Sequence, residues 1–345
     1  MTAKGLLKSH RVGVLIGVAV IVSLAVPLLI GGKQSLLALR ELPVQTYLLL
    51  FGVMAISGFV RSIKLHLLLN RLGAGISFVR SLAMSLAIDF AFVSTPGGLG
   101  GYAASMYCAR RAGISMSAAT TVTFIDQLLD LIFFATALPL AALTLLWTDV
   151  PRALSLSAFI ASAALVVLAL AIMLMHRPFV RWLCGDNIFS RRWPRLRDKQ
   201  HRLLEFLDHV GADSRFLFSG PPLITATLIS TTAIQWLTRY GVLWAALALL
   251  GHTVPFALTL LSQSLILHAA LWTGVPSGGG GAELGLSAAL IAMVPAQTIA
   301  TALILWRLAT FHLCLVVGAL AIAWLARSNG KTSATERLAG ANAAK

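Results

Sequence analysis

The sequence predicts an all-α polytopic membrane protein with about six full spans and two re-entrant helical hairpins in an inverted repeat. Three observations carry that prediction. The chain is 58% hydrophobic and 11% charged and contains apolar runs of about eighteen residues or more, whereas a soluble chain of 345 residues needs a far more charged surface. A weak internal repeat relates two long stretches. The basic residues cluster between apolar segments in a pattern that favours one topology.

The chain starts with the basic "MTAKGLLKSHR", followed by "VGVLIGVAVIVSLAVPLLI". That run is long and no small-x-small cleavage site follows it, so it reads as an uncleaved first span, 12–30, rather than a signal peptide. Cys108, Cys184 and Cys314 lie far apart, without CxxC spacing or clustered histidines. Neither a disulfide framework nor a metal site is suggested, and no cofactor is expected. A net charge of +15 invites a nucleic-acid reading, but the basic residues are not interleaved with aromatics on a soluble module. No nucleic-acid partner is expected; the charge reports orientation and contact with anionic headgroups. "GLGGYA", 98–103, matches the dinucleotide fingerprint in letters only, since nothing supports the strand that must precede it.

At an offset of 178 residues Arg61 falls on Arg239, Gly73 on Gly251 and Phe78 on Phe256. The offset widens to 180, where "STPGGLGG" falls on "GVPSGGGG" and Gln127 on Arg307. The shared unit covers about 45–137 and 222–317. If every apolar segment crossed the membrane there would be eight spans, and Arg110, Arg111 and the nine Lys/Arg from Arg177 to Arg215 would face outward, against the positive-inside rule. Treating 78–111 and 255–294 as hairpins that return to their entry side leaves spans at 12–30, 44–69, 116–146, 153–175, 223–250 and 296–326. Twenty of the 27 Lys/Arg then lie on the cytoplasmic side, with Lys33, Arg40 and Arg152 outside and Arg61, Lys64, Arg239 and Arg307 within spans. Both termini become cytoplasmic, and the two units run in opposite directions because their first spans, two and five, differ by three. The domains are 1–43, a first span and loop; 44–147, the first repeat; 148–220, the fourth span with a basic loop; 221–326, the second repeat; and 327–345, a tail.

Each hairpin turns on a Pro-Gly-rich tip: Pro96, Gly97, Gly98 and Gly100 in the first, Pro276, Gly278, Gly279 and Gly280 in the second. Non-helical backbone at membrane depth is tolerated where protein or a watery cavity satisfies it. A half-helix starting after such a tip aims N–H groups and a positive dipole end inward, a seat for an anion. The competing reading is that the glycines merely allow close helix packing.

Charged side chains in the apolar phase are costly and usually pair or line a pathway. This chain has Arg61, Asp89, Asp126, Asp130, Arg239, Glu283 and Arg307 there, with His268 and His312 nearby. Asp126 and Asp130, four apart, share a helix face. Helix-to-helix ion pairs, Arg61 with Asp89 or Arg307 with Asp126, are the structural alternative to a binding role. The histidines read as locally hydrogen-bonded, and Lys64, nearer the cytoplasmic end of its span, as snorkelling. Arginines midway through spans suit a phosphate headgroup, because the guanidinium fork binds oxygens in pairs. Between spans four and five, "RRWPRLRDKQHRLLEFLDHV" reads either as an interfacial amphipathic helix or as a solvated basic loop.

At these residues the sequence resembles the flippase-like, lysylphosphatidylglycerol-synthase transmembrane-region family, over about 44–326. "VPSGGGGAELG" is similar to the family's second Pro-Gly-Gly-x-Gly-x-x-Glu hairpin, with Glu283 as its acid, and "LILWRLATFHLCLVVG" to its Arg-containing last span. "STPGGLGGYAASMYCARRAGIS" and "FIDQLLDLIFF" resemble the earlier hairpin and the helix after it, with Tyr102 and Gln127 standing where relatives often carry an acid and an Arg. The resemblance implies movement of a polar-headed lipid between leaflets. About nineteen residues follow Ala326, too few for the aminoacyl-transferase domain of the family's bifunctional members, so headgroup aminoacylation is not expected.

The expectation is therefore a translocator of an anionic or polar-headed lipid in the bacterial inner membrane, not an enzyme, with membrane lipids as partners. Two rivals stay open. One is an integral-membrane enzyme using Glu283, Asp126 or Asp130 as acid or base on lipid headgroups. The other is an accessory protein that holds lipid-biosynthesis partners at the membrane.

Overall fold

Six of the described helices begin behind a Pro or Ser that precedes an apolar run, and several are followed closely by a glycine. The computed structural model describes residues 3–148, 152, 156, 159–164, 167 and 194–343, and among them every regular element is helical. Helix α1 spans Ala3–Glu41 and α2 Val44–Arg71, which starts behind Pro43. Helix α3, Phe78–Ser94, is capped by Ser77, whose hydroxyl accepts from the Arg80 N–H at 3.4 Å. After a short turn at Pro96–Gly98 comes α4, Leu99–Arg111. Helix α5, Met116–Leu145, is capped by Ser115, which accepts from the Ala118 N–H at 3.1 Å. Then come α6, Pro194–Phe218; α7, Pro222–Leu249; α8, Phe256–Leu271; a turn at Pro276–Gly278; and α9, Gly281–Leu290. Helix α10, Ala296–Arg307, passes through a π-helical turn, Leu308–His312, into α11, Leu313–Ala343.

Among the described residues four helical stretches are long and apolar enough to cross a bilayer: Gly13–Glu41, Val44–Arg71, Met116–Leu145 and Ala296–Ser328. A fifth candidate is Pro222–Leu249 together with Asp208–Phe218, the two meeting at a 100° bend. The fourth expected span, 153–175, lies mostly outside the described residues, as do Cys184 and the basic residues from Arg177 to Arg192. The helical stretch runs beyond the expected 12–30, but Gly32, at φ 63° and ψ −163°, is non-helical backbone that divides it into two pieces at a kink, close to the expected end. The segment 194–218 is a helix, which resolves that part of the basic segment in favour of regular structure.

The short helices form two fold-back pairs. Helix α4 has 13 residues and α9 has 10, well below the roughly 20 needed to cross the hydrocarbon core. At the base of the first pair the Arg80 guanidinium donates to the Arg111 carbonyl at 3.4 Å, so the start of α3 lies beside the end of α4. In the second pair Gly281 faces Ala270 and Gly285 faces Ile266, so α9 runs back along α8. The two tips touch each other, and α1 closes over the second, bringing Ala19 and Val22 against Gly279 and Gly280.

Helices α2 and α7, the first of each repeat, lie along one another, and the Ser57 hydroxyl donates to the Gln235 carbonyl at 2.8 Å. One apolar core, including Leu243, Leu286, Leu303 and Phe311, surrounds the second tip; another, including Leu68, Leu69, Ile88 and Ile125, packs α2, α3 and α5 together. The outward faces are apolar too, with Leu29, Trp147 and Leu320 among the most exposed side chains, as a lipid-facing surface requires. Apolar burial offers little net drive to helix association in lipid, so close approach matters. Gly318 supplies it: a Cβ there would sit 2.7 Å from the Leu86 carbonyl oxygen, which lets α11 lie directly on α3.

Candidate functional site

The tips fold the way their sequences demand. Gly98 at φ 69° and Gly278 at φ 64° occupy left-handed backbone that a side chain resists, and this lets the chain reverse between short helices. The expected anion seat on tip amides is not open at the glycines where donors are traced. Gly98 donates to the Thr95 carbonyl at 3.1 Å, Gly278 to that of Val275 at 3.0 Å and Gly279 to that of Pro276 at 3.2 Å. Gly100 donates to the Thr95 hydroxyl at 2.9 Å, and Gly280 to the Glu283 carboxylate at 2.7 Å. The tight turns and their capping side chains use these donors themselves, and Glu283 meets the positive end of α9 from within.

The predicted ionisable residues do converge. On α2, Arg61 pairs with Asp89 of α3, lies 3.6 Å from Asp126 of α5 and stacks over the Phe92 ring at 5.4 Å. Arg239 of α7 lies 3.7 Å from the same Asp89. Lys64 does not snorkel. It is 1% exposed and sits 2.7 Å from Asp126 and 3.1 Å from Asp130, because it lies three residues after Arg61 and therefore shares its inward face. Asp130 also accepts from the Trp236 indole at 2.9 Å.

Arg307 forms a separate centre. Its Nε donates to Glu283 at 2.6 Å, and one Nη donates to the Ser277 hydroxyl at 3.0 Å and carbonyl at 3.2 Å. The pairing anticipated with Asp126 is absent; Arg307 pairs with Glu283 at the start of α9 instead. Pairing within the repeat also buries Glu283 completely, at 0% exposure. Trp306 and Phe311 stack near the guanidinium, at 4.5 Å and 5.8 Å. Its second Nη, however, is buried without a hydrogen-bond partner. That is costly unless something fills the place.

Arg307 is one of the residues around a cavity of about 70 Å³, lined also by Arg239, Tyr240, Ser277 and Thr310 with the apolar Val93, Leu267 and Trp306. The walls come from both hairpins, from α7 and α10, and from the π-helical turn, a distortion frequent at functional sites. Ser277 carries a positive φ of 55°, strain held where it touches Arg307. A smaller void, about 10 Å³ and the size of one water, lies beside Arg61, Ser85, Ser105 and Asp126.

Among the described residues four buried cations, Arg61, Lys64, Arg239 and Arg307, meet four carboxylates, Asp89, Asp126, Asp130 and Glu283. Such matching keeps buried charges tolerable in a low-dielectric medium. The histidines bond locally as expected, His268 to the Ser264 carbonyl at 2.5 Å and His312 to that of Arg307 at 3.0 Å. Tyr102 packs edge-on to Phe92 at 5.0 Å, and Gln127 stays outside the ion pairs. Sequence reasoning missed Ser277, Trp236, Tyr240 and Thr310. Ser277 stood within the singled-out tip "VPSGG", and Trp236 and Tyr240 in "QWLTRY", where neighbours within one turn of Arg239 share its surroundings. Nothing marked Thr310, which depends on the π-helical turn.

A family model described as the lysylphosphatidylglycerol synthase TM region matches residues 14–318. A UPF0104 membrane protein of Archaeoglobus fulgidus is 23% identical over 269 residues, covering 76% of this chain and 80% of the relative. The matched region takes in both hairpins, the ion network and the cavity. The chain is a membrane protein and belongs to the lysylphosphatidylglycerol synthase TM-region family.

Proposed function

We propose that this protein moves a lipid with an anionic, phosphate-bearing headgroup between the leaflets of the bacterial inner membrane. The cavity carries this reading: two arginines line it, and one of them, Arg307, has a buried, unpaired Nη. Arginine forks suit phosphate oxygens, and an unfilled buried donor favours an acceptor that arrives from outside the chain. The headgroup sits in the cavity while the acyl chains stay in the bilayer.

In this reading the fold-back pairs are re-entrant hairpins that enter from opposite faces, the repeats are inverted, and both termini are cytoplasmic. The contact between Ser57 and Gln235 supports an inverted repeat, because these positions differ by the repeat offset of 178 and a two-fold relation brings equivalent residues together on its axis. The touching tips support the same relation. Rocking of one unit against the other would open the cavity to each side in turn.

The enzyme reading loses Glu283 as its acid or base, because both Glu283 oxygens are engaged, one by Gly280 and one by Arg307, and keeps Asp126 and Asp130. An acid or base needs a free position near its substrate.

The test is leaflet exchange of fluorescent phosphatidylglycerol in vesicles containing the purified protein. Faster exchange than in empty vesicles is expected, with Arg307→Gln reducing it to background. Folded protein that accelerates exchange of neither phosphatidylglycerol nor phosphatidylethanolamine sinks the proposal. A chemically altered lipid would favour the enzyme, folded protein without exchange activity the accessory protein, and full exchange in Arg307→Gln would remove Arg307 from the site.

A further inference from the structure

Headgroup recognition leaves part of the interior unused. Asp126 and Asp130, one turn apart on α5, share one lysine, and the water-sized void opens beside Asp126. Neither carboxylate touches the cavity, but an unbroken series of ionic contacts leads there. Arg239 lines the cavity and faces Asp89; Asp89 pairs with Arg61; Arg61 faces Asp126; and Lys64 bridges Asp126 to Asp130.

The two longest links in this series are Arg239 to Asp89 at 3.7 Å and Arg61 to Asp126 at 3.6 Å. They are the ones that give way when a competing anion draws Arg239 toward the cavity. Asp89 then relies on Arg61 alone, Arg61 leaves Asp126, and Lys64 must serve both aspartates. Four cations would face four carboxylates plus the incoming anion, one uncompensated negative charge in a low-dielectric interior. Binding a proton removes it more cheaply than leaving it bare.

We infer that the Asp126–Asp130 pair takes up one proton as an oxyanion enters the Arg239–Arg307 cavity, so that anion and proton cross together. This rests on the translocation reading of that cavity. Asp130 is the member that holds the proton, since Lys64 is its salt-bridge partner and no guanidinium pairs with it among the described residues.

The groups that face the pair come from every side. Helix α2 brings Arg61 and Lys64, α3 Asp89, α4 Tyr102, and α7 Trp236, Arg239 and Tyr240. Helix α8 brings His268, whose ring meets Phe134 one turn past Asp130, while α6 approaches α5 near Thr121 through Val210. The anion leaves on the far side with the proton, and the network returns to four against four.

The test uses full-length protein in phosphatidylcholine vesicles carrying fluorescent phosphatidylglycerol and a lumenal pH dye. With acid imposed outside, inward movement of the label is expected to rise several-fold over the rate without a gradient, and the lumen to acidify with it. Asp130→Asn, which keeps an oxygen for Trp236, brings that ratio to one; Asp126→Asn serves if the first variant does not fold. Wild-type exchange with a ratio of one and no acidification overturns the coupling and leaves translocation standing.

A second arm titrates the protein in weakly buffered detergent with phosphatidylglycerol, then with inorganic phosphate. Proton uptake on adding the lipid sustains the coupling even where exchange fails, which places that failure on the translocation reading. Uptake with inorganic phosphate alone makes a free oxyanion the ligand and overturns the lipid as its source. Uptake with neither overturns the inference.

Discussion

Arg307 and Glu283 concentrate the energetic risk of this interior. Both are almost fully buried, at 1% and 0% exposure, 2.6 Å apart. Removing one partner strands the other, at a cost of about 3 kcal/mol or more. Glu283→Gln is therefore expected to lower the melting temperature in detergent clearly, and Glu283→Gln combined with Arg307→Gln to recover most of the loss. A double variant no more stable than Glu283→Gln alone would show that the pair is not coupled. At Ser277, a glycine accepts the φ of 55° without strain but removes the hydroxyl that receives the Arg307 donor. Ser277→Gly is expected to fold at least as stably as the wild type yet to weaken the response to phosphatidylglycerol in binding titrations; unchanged binding would deny the hydroxyl a part in the site.

Among the elements, the hairpins depend on their tips more than on their helices. Helix α9 has only 10 residues, too few for an isolated helix to persist in water, so its place comes from packing and from its Glu283 cap. Gly278 is the point where this is most exposed to change, because a Cβ there would lie 2.7 Å from the Ala270 Cβ at a φ of 64°. Gly278→Ala is expected to cost about 2 kcal/mol from the left-handed backbone alone. Gly52→Ala, in mid-helix with nothing within 4 Å, should be neutral or slightly stabilising when both are melted side by side. Equal melting temperatures would mean that the tip tolerates another backbone path. Along α10 and α11 the π-helical turn follows Arg307 directly and brings Thr310 to the cavity, a placement that no 3.6-residue periodicity anticipates.

At the scale of the molecule, the proposed topology puts the base of the first hairpin in the cytoplasm and the base of the second outside. In intact cells, a cysteine at Arg110 should resist a membrane-impermeant thiol reagent while one at His252 reacts; the reverse pattern, or reaction at both, ends the inverted arrangement. Composition and long apolar runs made the membrane class legible, and the matched Pro-Gly motifs located both fold-back pairs, because span length and helix-breaking residues are local properties of a chain. The list of buried charges was legible for the same reason, since any ionisable residue inside an apolar run stands out. Their pairing was not. Lys64 looked like a snorkelling side chain and Arg307 a partner for Asp126, because which side chains meet depends on how α2, α5, α7 and α9 pack, and contacts between segments up to 178 residues apart leave no local mark. Folding alone revealed that the tip turns and their capping side chains use the tip amides, that the described ion pairs balance, and that Arg307, with one donor left over, lines a cavity, since each follows from distances across the packed interior.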